Sequence, residues 1–207
     1  RTLLIERDDF ASGTSSHSAK LVHGGLHYLS RFQLGLARES IRERDLLLQE
    51  RAGLVKPIDF ILPVAAGDRR HAYVTSVGLG VYQAMGGKLH RAPQIERRDL
   101  ERVAPGMDGR FEHALRYTEG QPDDARLTLR VILDGQHDGG TARTYTEATS
   151  LLRDRHGLVR GVELRDALTG EAVLVSARHV VNAAGPWSDG LRAHVGRAPR
   201  QRVIAGS

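Results

Sequence analysis

Five short stretches of this sequence carry residue types whose spacing suits chemistry. Glu6 follows the apolar run Leu3-Leu4-Ile5. An acid at the end of a strand in a dinucleotide-binding fold accepts hydrogen bonds from ribose hydroxyls, although acids also commonly open plain surface loops. Gly13-Thr14-Ser15-Ser16-His17-Ser18-Ala19-Lys20 is a polar loop ending in a cation. Its small hydroxyl side chains and accessible amides suit phosphate oxygens, and Lys20 suits an anionic or electron-rich ring system. A flexible Ser-rich linker is the alternative, but the loop runs straight into Leu21-Val22-His23-Gly24-Gly25-Leu26. Paired glycines in an apolar stretch let backbone approach a ligand closely. His23 and His27 stand four apart, the spacing of two helical zinc ligands. Gly24 and Gly25 between them make a poor helix, so no metal is expected. Asn182-Ala183-Ala184-Gly185-Pro186-Trp187 follows an apolar run and can lay backbone against a nucleotide, or can be an ordinary turn before a helix. Asp123-Asp124 offers paired carboxylates, but the plainer reading is a helix N-cap with favourable charge at the positive end of the dipole.

Positioning elements can be read around these residues. Leu3-Leu4-Ile5 reads as a buried parallel strand. Leu29 to Arg51 reads as a helix, with Leu34, Ala37, Ile41 and Leu48 on one face and Gly53 as its stop. Phe60 to Val64 reads as a strand whose Pro63 points to an edge. His71 to Met85 suits a glycine-interrupted helix, and Ile95 to Val103 a short charged one ending before Pro105. A helix from Ala125 to about His137 follows the Asp123-Asp124 cap. The chain then turns β: Thr144 to Thr146, Ala148 to Leu152, Leu158 to Leu164, Ala172 to Ser176 and Val180-Val181, with turns at Arg155-His156-Gly157 and Thr169-Gly170. Gly78-Leu79-Gly80 is no phosphate-binding turn, because Gln83 stands where its third glycine belongs. The order predicts a nucleotide-binding α/β domain interrupted by a second domain. The chain opens inside a strand, which predicts an internal fragment lacking an upstream strand and its glycine turn.

Composition narrows the function classes. Without cysteine there is no disulfide framework and no thiolate metal site, which fits a reducing compartment. No apolar run approaches the roughly 20 residues of a membrane span. The net charge of +5 is carried mostly by scattered arginines interleaved with acids. With aromatics at only 5%, and not alternating with arginine, a nucleic-acid-binding face is not expected.

Together Gly13 to Leu29 (GTSSHSAKLVHGGLHYL), Asp123 to Leu129 (DDARLTL) and Val181 to Trp187 (VNAAGPW) resemble the FAD-dependent sn-glycerol-3-phosphate dehydrogenases, in the D-amino-acid-oxidase-like flavoprotein group. The first run is specific to that family, and the last is shared more widely. The resemblance implies an α/β fold: an incomplete FAD-binding Rossmann-like domain (1–50 and 116–195) interrupted by part of a mixed α+β substrate domain (51–115, resuming at 196–207). It implies that Glu6 holds the adenosine ribose. It places Thr14, Ser15, Ser16 and Lys20 along flavin and pyrophosphate, and His23, Gly24, Gly25 and Leu26 beside the isoalloxazine. Ala183, Ala184 and Gly185 would lie near the nucleotide half. His27 and Tyr28 would meet the substrate, and the catalytic residue itself is left unassigned.

The implied reaction is oxidation of sn-glycerol 3-phosphate to dihydroxyacetone phosphate, with electrons passing to a quinone or, in oxidase relatives, to oxygen. The implied location is the cytoplasm, with peripheral association at the cytoplasmic membrane. One departure stands out. The family's run is leucine-arginine-tyrosine-leucine, and this chain has Leu26-His27-Tyr28-Leu29. His27 is a weaker, pH-dependent cation without a bidentate fork, which weakens the substrate assignment and not the flavin one. The alternative is a flavin oxidase of the same fold acting on an amine or another hydroxy acid.

Overall fold

The computed structural model describes residues 1–50, 53–65, 67, 69–86, 94–107 and 111–193. In chain order the elements are β1 (Leu3–Ile5), α1 (Leu26–Ser30), α2 (Leu34–Glu50), β2 (Val55–Ala65) and α3 (Arg69–Met85). They continue with β3 (Gln94–Glu96), α4 (Arg97–Val103), β4 (Phe111–Pro122), α5 (Asp124–His137) and β5 (Thr141–Arg143). β6 (Thr146–Arg153), β7 (Val159–Asp166), β8 (Ala172–Ser176), a 3-10 turn (Gly185–Trp187) and α6 (Ser188–Ala193) complete the order. The chain forms two compact units, Arg1–His17 with Thr128–Ser207, and Ser18–Leu127. Among the described residues no helix is long and apolar enough to cross a membrane.

The unit Ser18–Leu127 is built on an antiparallel sheet in the order β2-β4-β3. β2 is an edge strand, as Pro63 predicts; Pro57 also lies in it, and a proline that cannot donate is tolerated at an edge. The central strand β4 falls where the sequence suggested no element. Its side chains alternate between two cores. Leu115 and Tyr117 join Ile41, Leu79 and Tyr82 from α2 and α3, whereas Ala114 joins Ile95 and Leu100 at α4.

The single helix expected from Leu29 to Arg51 is two. α1 ends in a Schellman arrangement, with Gln33 N–H donating to Tyr28 C=O and Phe32 N–H to Leu29 C=O. Phe32 sits at φ 57° in the left-handed position that closes this motif. The apolar periodicity continues through the break, which is why the sequence hides it. The expected helix at Ile95 begins at Arg97, because Gln94–Glu96 pairs with β4 instead.

In the other unit β1 pairs in parallel with β5, and β6-β7-β8 form a consecutive antiparallel meander. Gly157 and Gly170 occupy left-handed turns at φ 79° and 78°, as the turn signals predict. Three expectations fail here. Leu3 and Leu4 stay 41% and 43% exposed, since a two-stranded sheet cannot bury both faces. Thr144-Tyr145 bends instead of extending, with Tyr145 at φ 51°. Val180-Val181 is not a strand; Val181 is 84% exposed, and no backbone ladder engages it among the described residues.

Candidate functional site

In the unit Ser18–Leu127, His23, Leu26 and His27 line an open pocket of about 390 Å³ together with Tyr117 and Glu119. That volume is within the range of small-molecule sites. The sequence run that carries the family resemblance thus supplies three of its walls, and β4 supplies two. Tyr28, half-buried, lies against His27 with ring centroids 4.0 Å apart.

Behind the pocket lies a buried polar network that the sequence reading missed. Glu119 is 2% exposed and Arg44 is 0% exposed. The Glu119 Oε2 accepts the Gly24 amide at 2.7 Å and Arg44 Nη1 at 3.2 Å, while Oε1 accepts the Tyr82 hydroxyl at 2.7 Å. Arg44 Nη1 also donates to Tyr82 Oη at 2.7 Å and to the Thr118 carbonyl at 3.2 Å. Its Nε and Nη2 hold the Asp45 carboxylate at 3.0 and 2.9 Å. Buried charges persist when paired and hydrogen-bonded in this way. Burial, and then the bond to Glu119, pushes the Tyr82 hydroxyl well above its ordinary range. Burial alone would lower the Arg44 pKa, but Tyr82, Asp45 and Glu119 together raise it. Tyr117 is likewise pushed up by burial and by the Glu119 charge, so it remains a neutral hydroxyl at the pocket wall.

Two signals in the sequence point to this network in retrospect. Arg44 continues the buried stripe of α2 from Ala37 and Ile41, so a charge falls where an apolar residue belongs. Glu119 follows Leu115 and Tyr117 at period two on the same face of β4. The network also explains Gly24 without any ligand. A Cβ there would overlap the Tyr82 hydroxyl and come within 2.5 Å of Arg44 Nη1. Gly25, at φ 76°, caps α1 in the left-handed region, and its Cβ would press on the Tyr28 ring at 2.5 Å.

Lys20 and Asp124 meet on the same unit. Lys20 Nζ donates to Asp124 Oδ1 at 2.7 Å, and Ser18 Oγ donates to Oδ2 at 2.8 Å. These bonds, that from Lys20 first, pull the Asp124 carboxyl down to about 2. Asp123 is the N-cap of α5, its Oδ1 accepting the Arg126 amide at 3.2 Å, as the sequence predicts.

The other unit carries the remaining candidates on its surface. Glu6 ends the parallel strand β1, half-buried, with Oε1 accepting the Asp8 amide at 3.0 Å. Thr14 and Ser15 are exposed in a tight turn where the Ser16 amide returns to Gly13 C=O at 3.2 Å. A Cβ on Gly13 would press on the Trp187 ring at 3.2 Å, so the glycine fits the loop against that ring. Ala183, Ala184 and Gly185 are exposed. The Asn182 side chain shapes their turn, donating to Ser188 C=O at 2.9 Å and accepting the Ala184 amide at 3.2 Å.

The chain belongs to the FAD dependent oxidoreductase family, whose model matches residues 1–206. It is a flavoenzyme domain of the D-amino-acid-oxidase type, and FAD is its cofactor. It is 36% identical over 199 residues to the aerobic glycerol-3-phosphate dehydrogenase of Staphylococcus aureus (strain USA300), a match covering 93% of this chain and 35% of that protein. The FAD complex of glycerol-3-phosphate dehydrogenase from Bacillus halodurans superposes with a TM-score of 0.69 at 28% identity, covering 94% of this chain and 31% of that one. L-proline dehydrogenase from P. horikoshii shares the fold, with a TM-score of 0.65 at 17% identity over 94% of this chain and 49% of that one. The chain therefore spans about a third of the length of its glycerol-3-phosphate dehydrogenase relatives.

The residues present fit the cofactor. Glu6 stands at the carboxyl end of a parallel strand, where a side-chain oxygen acceptor suits ribose hydroxyls. The Thr14-Ser15 turn exposes hydroxyls suited to phosphate oxygens, and the small residues at 183–185 leave backbone accessible.

Proposed function

We propose that this chain is part of an enzyme that oxidises sn-glycerol 3-phosphate to dihydroxyacetone phosphate and passes the electrons to a quinone. One observation carries the reading: His23, Leu26 and His27, from the run most specific to the glycerol-3-phosphate dehydrogenases, line one pocket with Tyr117 and Glu119. The Staphylococcus aureus and Bacillus halodurans relatives are named glycerol-3-phosphate dehydrogenases, which supports the substrate class.

The chemistry that FAD supplies when bound is acceptance of a hydride from the substrate carbon. Glu6 would bind the ribose, and Thr14, Ser15, Ser16 and Lys20 would line the phosphates and ring. His23, Gly24, Gly25 and Leu26 would flank the isoalloxazine, and Ala183, Ala184 and Gly185 the nucleotide half. In the same proposal 1–50 and 116–195 serve the cofactor, and 51–115 and 196–207 the substrate. His27 orients the substrate by its phosphate. Oxidising an alcohol also releases a hydroxyl proton, and a ring nitrogen of His23 takes it. Glu119 is committed to Gly24, Arg44 and Tyr82, whereas an imidazole exchanges protons near neutral pH. Peripheral contact with the cytoplasmic membrane, where a quinone resides, belongs to the same proposal.

The weak cation at His27 favours a second reading, oxidation of an amine or another hydroxy acid. One experiment separates the two. The full-length protein, loaded with FAD and kept anaerobic, is mixed with glycerol 3-phosphate while flavin absorbance is followed. Bleaching with formation of dihydroxyacetone phosphate is expected. No bleaching by glycerol 3-phosphate, with bleaching by proline or glycine, would replace this reading with the second. Reoxidation by a soluble quinone, compared with oxygen, then identifies the acceptor.

A further inference from the structure

Glu119 has a place in the pocket that burial alone does not explain. A carboxylate is costly to bury, and this one is buried on the pocket wall with its oxygens spent on the chain's own donors. Two of those donors, Arg44 on α2 and Tyr82 on α3, are themselves buried and bonded to each other at 2.7 Å. They fix the carboxylate from behind. The third donor is the amide of Gly24, which stands between His23 and Leu26 in the pocket-lining run. The donor is backbone, and glycine is what lets it come this close, since a Cβ there collides with Tyr82 and Arg44. The backbone that carries His23 is thus pinned before it by Val22, whose amide and carbonyl pair with Gly120, and after it by one short charge-assisted bond from Gly24 to Glu119, directly before the left-handed Gly25 that starts α1 and places His27.

We propose that Glu119 is a positioning residue of this pocket: fixed by Arg44 and Tyr82, it holds the Gly24 amide and so sets where His23 and His27 stand. Its consequence for turnover rests on the reading of the pocket as the substrate site; the anchoring itself does not. Small displacements of reacting groups cost large factors in rate, so the effect falls on the limiting rate more than on substrate saturation.

The test uses the full-length, FAD-loaded protein and the variants Glu119→Gln and Tyr82→Phe. Hydrogen–deuterium exchange is read on the peptide spanning Val22–Leu26. In Glu119→Gln, exchange there is expected to rise by about tenfold or more while other core peptides stay protected, the size expected for loss of a charge-assisted bond. Tyr82→Phe, which keeps the carboxylate but loosens it, is expected to show a smaller rise at the same peptide. Anaerobic flavin reduction by glycerol 3-phosphate is expected to lose about tenfold in limiting rate in Glu119→Gln, with a smaller change in half-saturation. Unchanged exchange at Val22–Leu26 in both variants would overturn the proposal. So would local loosening with an unchanged limiting rate, or a rate loss that only tracks lost FAD or uniformly raised exchange. If the wild-type flavin is not reduced by glycerol 3-phosphate, the functional reading fails, and the exchange result still decides whether Glu119 anchors Gly24.

Discussion

The two compact units hold their candidate residues in opposite ways. In Ser18–Leu127 the pocket residues lean on groups that are already satisfied: Glu119, Arg44 and Tyr82 saturate one another out of water. In Arg1–His17 with Thr128–Ser207, Thr14, Ser15 and Ala183 to Gly185 lie in exposed turns. The first arrangement fixes geometry before any ligand arrives. The second leaves polar groups and backbone for a ligand to occupy. Mutations in the buried network should therefore act on stability, and mutations at Glu6 and the exposed turns on cofactor affinity.

The largest effect is expected at Arg44. Arg44→Ala leaves Glu119 and Tyr82 buried without their cation, which costs about 3–5 kcal/mol. Denaturant unfolding of the full-length protein should show it, and a loss below about 1 kcal/mol would mean that water already reaches the network. Glu6→Ala should do the reverse, leaving stability nearly unchanged while weakening FAD by about 1–3 kcal/mol in the full-length protein. Unchanged affinity on FAD titration would make Glu6 a plain loop acid and blur the contrast between the units.

Asp124 sharpens the comparison through pH. Its carboxyl is held at about 2 by Lys20 and Ser18, below the ordinary carboxylate value of about 3.9. A depressed acid contributes stability that is complete above its unfolded pKa and is lost as pH falls through its folded one. Asp124→Asn should therefore flatten the stability profile between about pH 4 and pH 2, with a smaller change at neutral pH than Arg44→Ala. An unaltered acid limb would show that the Lys20 contact does not persist in solution.

What the sequence disclosed follows from how local each interaction is. The Asp123 cap, the turns at Gly157 and Gly170 and the meander are each fixed by neighbours a few residues away, and all were legible. β4 was not, because Phe111–Pro122 mixes Arg116, Glu119 and Gly120 into its apolar alternation. Glu119 is tolerated there through Gly24, Tyr82 and Arg44, the last 75 positions earlier in the chain, pairings no local window contains. The break at Phe32 was hidden because a Schellman turn does not interrupt apolar spacing. Val180-Val181 was over-read, since two β-branched residues make a strand only where a partner ladder is present. Of the residues that line the pocket, the resemblance singles out His23, Leu26 and His27 but not Tyr117 and Glu119.

Whether the pocket holding His27 receives a phosphorylated substrate is decided by affinity measured against pH. A phosphate dianion gains more from an imidazolium than from a neutral imidazole, whose ordinary pKa is about 6.5. Glycerol 3-phosphate affinity of the full-length enzyme should thus fall as pH rises from about 6 to about 8, more steeply than in His27→Arg. The arginine variant should bind tighter at pH 8 by about 1 kcal/mol. Parallel profiles, with no gain from arginine, would contradict the claim and place the phosphate away from His27.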